Sequence, residues 1–335
     1  MIEVPRWMVG VDGGGTSTIV ALGQWRQGQA IERISRGEAQ SSNPVVLGVA
    51  LAVDRIAAAI DGVLRQARVR PEELASLCVC MAGGADADTG RVVTRELRAR
   101  YGASTVVVTH DAELLLAALH PHDHPPQQPL QGVGLIAGTG SICYGSHGGR
   151  SERSGGWGYL WSDEGSGYWL GRSLLDAACR AADGRLRSVG QEEILRAVLD
   201  FTTVDSVRAL VRWATSGEPT EVRQRVASLA PLAFALHQLP PVAAILKQGA
   251  EELAQLVVSV VERLGVSAGD YRLALAGGLL LHQPDYRRLV LDALQLAAAA
   301  PKAVEVIEQP VHGALRLALW EWLNHRKEDG ATLDR

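Results

Sequence analysis

An α/β chain built from two related halves is the fold class this sequence predicts, and three observations carry the prediction. First, an apolar strand from Trp7 to Val11 runs into Asp12-Gly13-Gly14-Gly15-Thr16-Ser17-Thr18 and returns as a strand from Ile19 to Leu22. Second, the same grammar restarts further on: Val133 to Ala137, then Gly138-Thr139-Gly140-Ser141, then Ile142 to Tyr144. Third, the stretch from His120 to Pro129 is dense in Pro and Gln, which marks a loop or linker between the halves. The domains are therefore placed at 1–125 and 126–335, with the last helix free to pack back on the first domain. A repeated strand–turn–strand unit implies two halves with a cleft between them.

The elements follow in order. A third strand fits Ala30 to Ser35. A helix starts near Asn43, because Asn is a good N-cap and Pro44 suits the first helical position. Val49, Val53, Ile56, Ile60 and Leu64 keep its apolar stripe. Leu77 to Met81 reads as a buried strand ending in Ala82-Gly83-Gly84. A helix over Thr89 to Tyr101 precedes the strand Thr105 to Val108, which ends at Thr109-His110-Asp111, and a helix (Ala112 to Leu119) follows. The stretch from about Gly165 to Gly265 is mainly helical. Tyr271 to Ala276 is a strand broken by Gly277-Gly278, and a helix starts near Asp285. A strand (Val304 to Ile307) and a helix (Val311 to Asn324) close the chain. Alternating strands and helices with helical insertions are an α/β pattern.

The bulk numbers exclude several classes. With 335 residues and 47% hydrophobic content, each half can bury its own core. A net charge of -4 without a basic block gives no reason to expect nucleic acid or an anionic membrane as partner. No apolar run approaches the ~18 residues of a membrane span, and no signal peptide is legible at Met1, so a cytoplasmic location is expected. Cys78 and Cys80 alternate on one strand, a poor disulfide. With Cys143 and Cys179 they read as buried free thiols.

Asp12 to Thr16 could bind phosphate: its glycines let backbone N–H groups approach closely, Thr16 adds a hydroxyl, and Asp12 could hold hydrated Mg²⁺. A glycine-stabilised hairpin is the plainer reading. Gly138, Thr139, Gly140 and Ser141 have the same chemistry, and two such turns argue for phosphate binding better than either alone. The Walker lysine is absent. Asp111, where a strand gives way to a helix, suits either a general base for phosphoryl transfer or a helix N-cap. Ser154 to Gly158 and Ser162 to Gly167 mix Gly, carboxylate and Trp, as a sugar site needs. Within them Asp163 reads as functional rather than as a helix cap, whereas Trp161 and Trp169 read as core. Gly277 and Gly278 fit either a turn that lets a flat base lie close to the backbone or a simple start of a helix. His120, His122 and His124 alternate with prolines and lack further ligands, so a metal site there is disfavoured. His282 and His312 read as surface or core residues.

In this order the residues resemble the N-acetylglucosamine kinase group of the BadF/BadG/BcrA/BcrD ATPase family, within the actin/hexokinase/Hsp70 superfamily. The resemblance runs from Asp12 to about Ala318, and its most specific pieces are Gly155-Gly156-Trp157-Gly158 and Asp163-Glu164-Gly165-Ser166. It implies two ribonuclease-H-like domains with an interdomain cleft that binds ATP, Mg²⁺ and an amino sugar. It also implies that Asp12 to Thr16 and Gly138 to Ser141 are the phosphate loops and that Asp111 is the catalytic base. Asn43, Gly156, Trp157 and Asp163, with Asp111, would bind the sugar, and Gly277 and Gly278 would form the adenosine-side turn. Two departures stand out: Pro44-Val45 after Asn43, where the animal enzymes place an aromatic close by, and Ser154 in place of their cysteine. The expected reaction is phosphorylation of N-acetylglucosamine at O6, with glucosamine or another hexosamine as alternative acceptor. A second alternative is an ATPase activator of a partner enzyme, but Ala137 stands ahead of the second loop where such activators carry a cluster cysteine. A sugar-sensing regulator is the weakest rival, because no basic helix-turn-helix precedes the first strand. Such kinases are commonly homodimers, and no interface is legible in this chain.

Overall fold

A computed structural model describes residues 5–81, 86–110, 113–119, 130–185 and 188–328. In chain order the elements are β1 (Arg6–Gly13), β2 (Ser17–Trp25), β3 (Glu32–Gln40), α1 (Pro44–Leu47), α2 (Val49–Ala67), β4 (Leu74–Met81), α3 (Ala87–Tyr101), β5 (Thr105–His110) and α4 (Glu113–Ala118). There follow β6 (Gly132–Ala137), β7 (Ser141–His147), β8 (Arg150–Gly155), α5 (Gly167–Ala182), α6 (Gln191–Thr202), α7 (Val207–Thr215), α8 (Pro219–Ala227), α9 (Ala230–Ala235) and α10 (Pro240–Leu264). The chain closes with β9 (Arg272–Ala276), α11 (Gly278–His282), α12 (Pro284–Leu296), β10 (Ala303–Val306) and α13 (Val311–Glu328). Two compact units result: Met1–Gly132 with Ser146–Gly149 and Ile307–Arg335, and Val133–Gly145 with Arg150–Val306.

In the first unit the sheet order is β3-β2-β1-β4-β5. β1 pairs antiparallel with β2 and parallel with β4, and β4 pairs parallel with β5. The central strand is apolar from Trp7 to Val11, with Met8 to Val11 buried, because both of its faces are covered there. Val9 and Val11 point into a core with Ile56, Ile60 and Leu64 of α2. On the other face α13 lies so close to β1 that a Cβ at Gly10 would stand 2.9 Å from the Ala314 carbonyl carbon. β3 is an edge strand, exposed and polar (Glu32, Arg33, Arg36, Glu38), a composition that discourages pairing with another chain. The single helix expected from Asn43 is broken: Gly48, at φ 76, separates the one-turn α1 from α2.

In the second unit the order is β10-β9-β6-β7-β8, the same arrangement with β6 in the place of β1. β6 pairs parallel with β9, and β9 with β10. Its core gathers Val133 and Leu135 of β6, Leu170 and Leu174 of α5, and Leu253, Val257 and Val260 of α10. β8 was not predicted: its sequence, RSERSG, has no apolar alternation. Its one signal is Gly148-Gly149, both at positive φ, which is what a tight hairpin turn requires. Cys78, Cys80 and Cys143 are buried free thiols and Cys179 is half-buried, with the Cys78 and Cys80 sulfurs 3.7 Å apart. Among the described residues no single helix is long and apolar enough to cross a membrane.

Candidate functional site

In the first unit the register brings three strand ends level. Gly13 of β1 lies opposite Met81 of β4, and Met81 lies opposite His110 of β5. The carboxyl ends of parallel strands are where open α/β sheets bind ligands. Asp12 sits there, half-buried, in the last turn of β1 before the glycines. The Asp12–Thr16 turn is closed by a bond from the Gly14 N–H to the Ser17 carbonyl, 2.9 Å. Gly13 has no room for a side chain, since a Cβ would lie 2.8 Å from Ser42 Oγ and 3.0 Å from Met81 Cβ.

Ser41, Ser42 and Asn43 are tied to that turn. Ser41 Oγ donates to the Gly14 carbonyl (3.2 Å), and Thr18 Oγ1 meets Ser42 Oγ at 2.8 Å. Arg55 donates to the Ser41 carbonyl at 2.7 Å, from α2. Asn43 uses its side-chain oxygen to cap α1, accepting from the Val45 N–H at 2.9 Å. Asn43 is thus held beside the first glycine turn. Asp111 follows β5 directly in the sequence and lies outside the described residues, as do His120, His122 and His124. A groove of about 820 Å³ opens along β5 and α3, lined by Thr109, His110, Arg91, Arg95 and Arg98.

In the second unit the corresponding corner gathers the remaining candidates. Gly138 and Gly140 close the second turn on each other, 2.9 Å from N–H to carbonyl. The Gly138 and Thr139 carbonyls accept from the Gly167 and Tyr168 N–H groups at the start of α5. Gly277, at φ 90 and ψ 150, lies against Ala137, where a Cβ would be 2.5 Å from the carbonyl carbon. The positions a Cβ would take at Gly138 and Gly278 are open, apart from the Gly278 nitrogen 3.9 Å from the former. Ligand atoms can therefore approach these backbones closely. Gly156 donates its N–H to the Ser141 carbonyl at 3.1 Å, which joins the Gly155–Gly158 segment to the turn.

Asp163 is at the centre of this corner. It is 2% exposed and adopts φ 69, an uncommon backbone conformation for a residue other than glycine. One carboxylate oxygen accepts from the Ser141 N–H at 3.1 Å, and the other pairs with Arg223 Nη2 at 2.9 Å. Burial pushes its carboxyl above the usual range, opposed by the Arg223 charge and the Ser141 hydrogen bond. The helix that follows is capped by Ser166, not by Asp163. Trp169 packs half-buried against the core as expected. Trp161 does not: it is 83% exposed, because the 156–162 loop turns outward at left-handed Gly156 and Gly158. Trp157 is also exposed, with Arg153 stacked over its ring at 4.2 Å.

Arg223 was missed. It comes from α8, 60 residues beyond Asp163, and no local motif distinguishes it from the neighbouring Arg225. Among the described residues no group of three or more His, Cys, Asp or Glu could hold a metal by itself.

Comparison with known proteins gives a consistent result. The profile of the BadF/BadG/BcrA/BcrD ATPase family matches residues 9–318. An N-acetylmuramic acid/N-acetylglucosamine kinase of Clostridium acetobutylicum is 29% identical over 82% of this chain and 86% of its own length. An N-acetyl-D-glucosamine kinase of Dictyostelium discoideum is 31% identical over 81% and 84%. A solved candidate N-acetylglucosamine kinase from Chromobacterium violaceum, 24% identical, superposes with a TM-score of 0.69 over 93% of this chain and 99% of that one, a likeness of fold.

Proposed function

We infer from one premise, that the chain belongs to the BadF/BadG/BcrA/BcrD ATPase family, how its two glycine turns are used. The protein is an ATP-dependent sugar kinase whose acceptor is an amino sugar, N-acetylglucosamine, phosphorylated at O6. The observation that carries this reading is the repetition: two sheets of one strand order, each with a glycine turn where its central strand ends. Such turns present backbone N–H groups to phosphate oxygens. The open backbone faces at Gly138 and Gly278 suit a nucleotide, with phosphates on the first and adenosine on the second. Gly13, Gly14, Gly15 and Thr16 would form the first phosphate loop, and Thr139 and Gly140 would complete the second.

Asp12 is a hard oxygen donor at the end of β1, and a single carboxylate suits a hydrated Mg²⁺ that also depends on phosphate ligands. When bound, that ion neutralises charge on the phosphates. Asn43, the Gly156-Trp157 backbone and Asp163 hold the sugar. Asp111 accepts the proton of the primary hydroxyl as it attacks the γ-phosphate, the task of the carboxylate base in phosphoryl transfer. A cytoplasmic location fits the use of ATP as donor. Analysis of the product of Mg·ATP and N-acetylglucosamine by ³¹P–¹H correlation NMR tests this. A phosphate coupled to the C6 protons is expected, and a phosphate at the anomeric position, or no sugar phosphate, contradicts it.

A further inference from the structure

The corner of the second unit holds a cation that none of the roles above uses. The Arg223 guanidinium lies against Gly140, close enough that a Cβ there would collide with its Nη2. Its orientation is fixed from two sides. Asp163 holds Nη2 at 2.9 Å, and the Tyr159 ring lies under the guanidinium at 5.9 Å. Tyr159 is itself braced edge-on by Tyr168, 4.9 Å between ring centres. Among the described residues the buried Nε has no acceptor. Buried donors are normally satisfied, so an arginine held in place with its Nε–H unpaired needs an explanation. A guanidinium beside a glycine turn suits a doubly hydrogen-bonded phosphate oxyanion.

The geometry points to Arg223 as a binding residue for the phosphates of the nucleotide at the 138–141 turn, aimed there by Asp163. This rests on the reading of that turn as a phosphate loop. Besides holding the sugar, Asp163 then orients Arg223 with one oxygen and fixes the turn through Ser141 with the other. The groups that face Asp163 are Arg223 from α8 and Glu164 from its own loop, with Tyr159 and Tyr168 packed behind Arg223. Because burial raises the Asp163 pKa, phosphate binding weakens as the pH falls through that raised value. Without Arg223 there is no guanidinium for Asp163 to aim, so this acid limb is lost.

The test is titration calorimetry of Mg·ADP, the Mg-bound non-hydrolysable ATP analogue AMPPNP, and adenosine against the wild type, Arg223→Gln and Arg223→Lys. Arg223→Gln is expected to weaken Mg·AMPPNP and Mg·ADP by about tenfold or more, the size of a charge-assisted hydrogen bond, and to leave adenosine unchanged. Arg223→Lys is expected to recover part of the loss, and the acid limb of Mg·ADP binding should be lost in Arg223→Gln. Three results overturn the proposal. One is Arg223→Gln binding Mg·ADP as the wild type does. Another is adenosine weakened as much as Mg·ADP, which marks a purely structural arginine. The third is a loss confined to the acceptor, seen as a raised KM for N-acetylglucosamine with unchanged Mg·ADP binding. If Arg223→Gln does not fold, Arg223→Lys decides: it keeps the charge on a shorter side chain, and phosphate-selective weakening supports the role while equal loss of adenosine refutes it. A wild type that binds no nucleotide overturns the phosphate-loop reading itself.

Discussion

Gly277→Ala is the sharpest structural perturbation at the second corner. Gly277 adopts φ 90 and ψ 150, a region essentially reserved for glycine. Forcing an alanine into it costs about 1–3 kcal/mol. The new Cβ would also stand 2.5 Å from the carbonyl carbon and 2.9 Å from the nitrogen of Ala137, which is backbone in the central strand β6. That strand is hydrogen-bonded on both sides and cannot yield cheaply, which adds roughly 1–3 kcal/mol of overpacking. The sum, about 2–6 kcal/mol, is a large share of a stability of ~5–15 kcal/mol. It corresponds to a melting temperature lowered by about 5–20 °C for a unit of this size. Gly278→Ala is the internal control, because a Cβ there meets nothing within 4 Å. It should change stability by less than about 0.5 kcal/mol, yet weaken ADP if the adenosine lies on that open backbone. Differential scanning calorimetry measures the first effect and titration with ADP the second. A Gly277→Ala protein that melts with the wild type would refute the strain argument.

Four further outcomes are expected. Asp111→Asn should lower kcat by about 10²–10⁴ with sugar binding nearly kept, as for a lost general base, and near-normal turnover in a coupled assay would remove Asp111 from that role. Asp12→Asn should raise the Mg²⁺ concentration needed for half-maximal rate and lower kcat by about a hundredfold, since metal stabilisation of transferred phosphate contributes several kcal/mol; an unchanged Mg²⁺ titration contradicts it. Tyr101→Phe should destabilise the first unit by about 1–2 kcal/mol in urea unfolding, because its buried hydroxyl bridges the Ala57 carbonyl at 2.9 Å and Asp61 at 2.8 Å. Gly313→Ala should lower stability by about 1–3 kcal/mol or more, since a Cβ there would lie 2.7 Å from the Leu114 carbonyl carbon where α13 crosses α4; an unaltered melting curve would show that the crossing can relax.

Much of the fold was legible because each element announces itself locally. β1 and β6 are apolar runs that end in glycine, and α2 buries the stripe read from the sequence, Val53, Ile56, Ile60 and Leu64. The elements that escaped are those whose reason lies elsewhere in the chain. β8 is polar because it is a sheet edge, and its pairing with β7 leaves no apolar period. The break at Gly48 was hidden because the apolar stripe begins just beyond it. Trp161 was read as core from its residue type, but two left-handed glycines turn its loop outward. At the candidate site, the glycine turns and Asp12 at the end of β1 were readable, since they follow from chain direction. Arg223 was not, because its only distinction is the contact with Asp163 and Gly140, made across 60 residues of sequence.

The most direct test of the central claim is ADP release by the purified protein with Mg·ATP and each of N-acetylglucosamine, glucosamine, N-acetylmuramic acid, N-acetylmannosamine and glucose. The account predicts release that depends on an amino sugar and is strongest with N-acetylglucosamine. Equal, low release with every sugar and with none would contradict it and favour an ATPase acting on a protein partner.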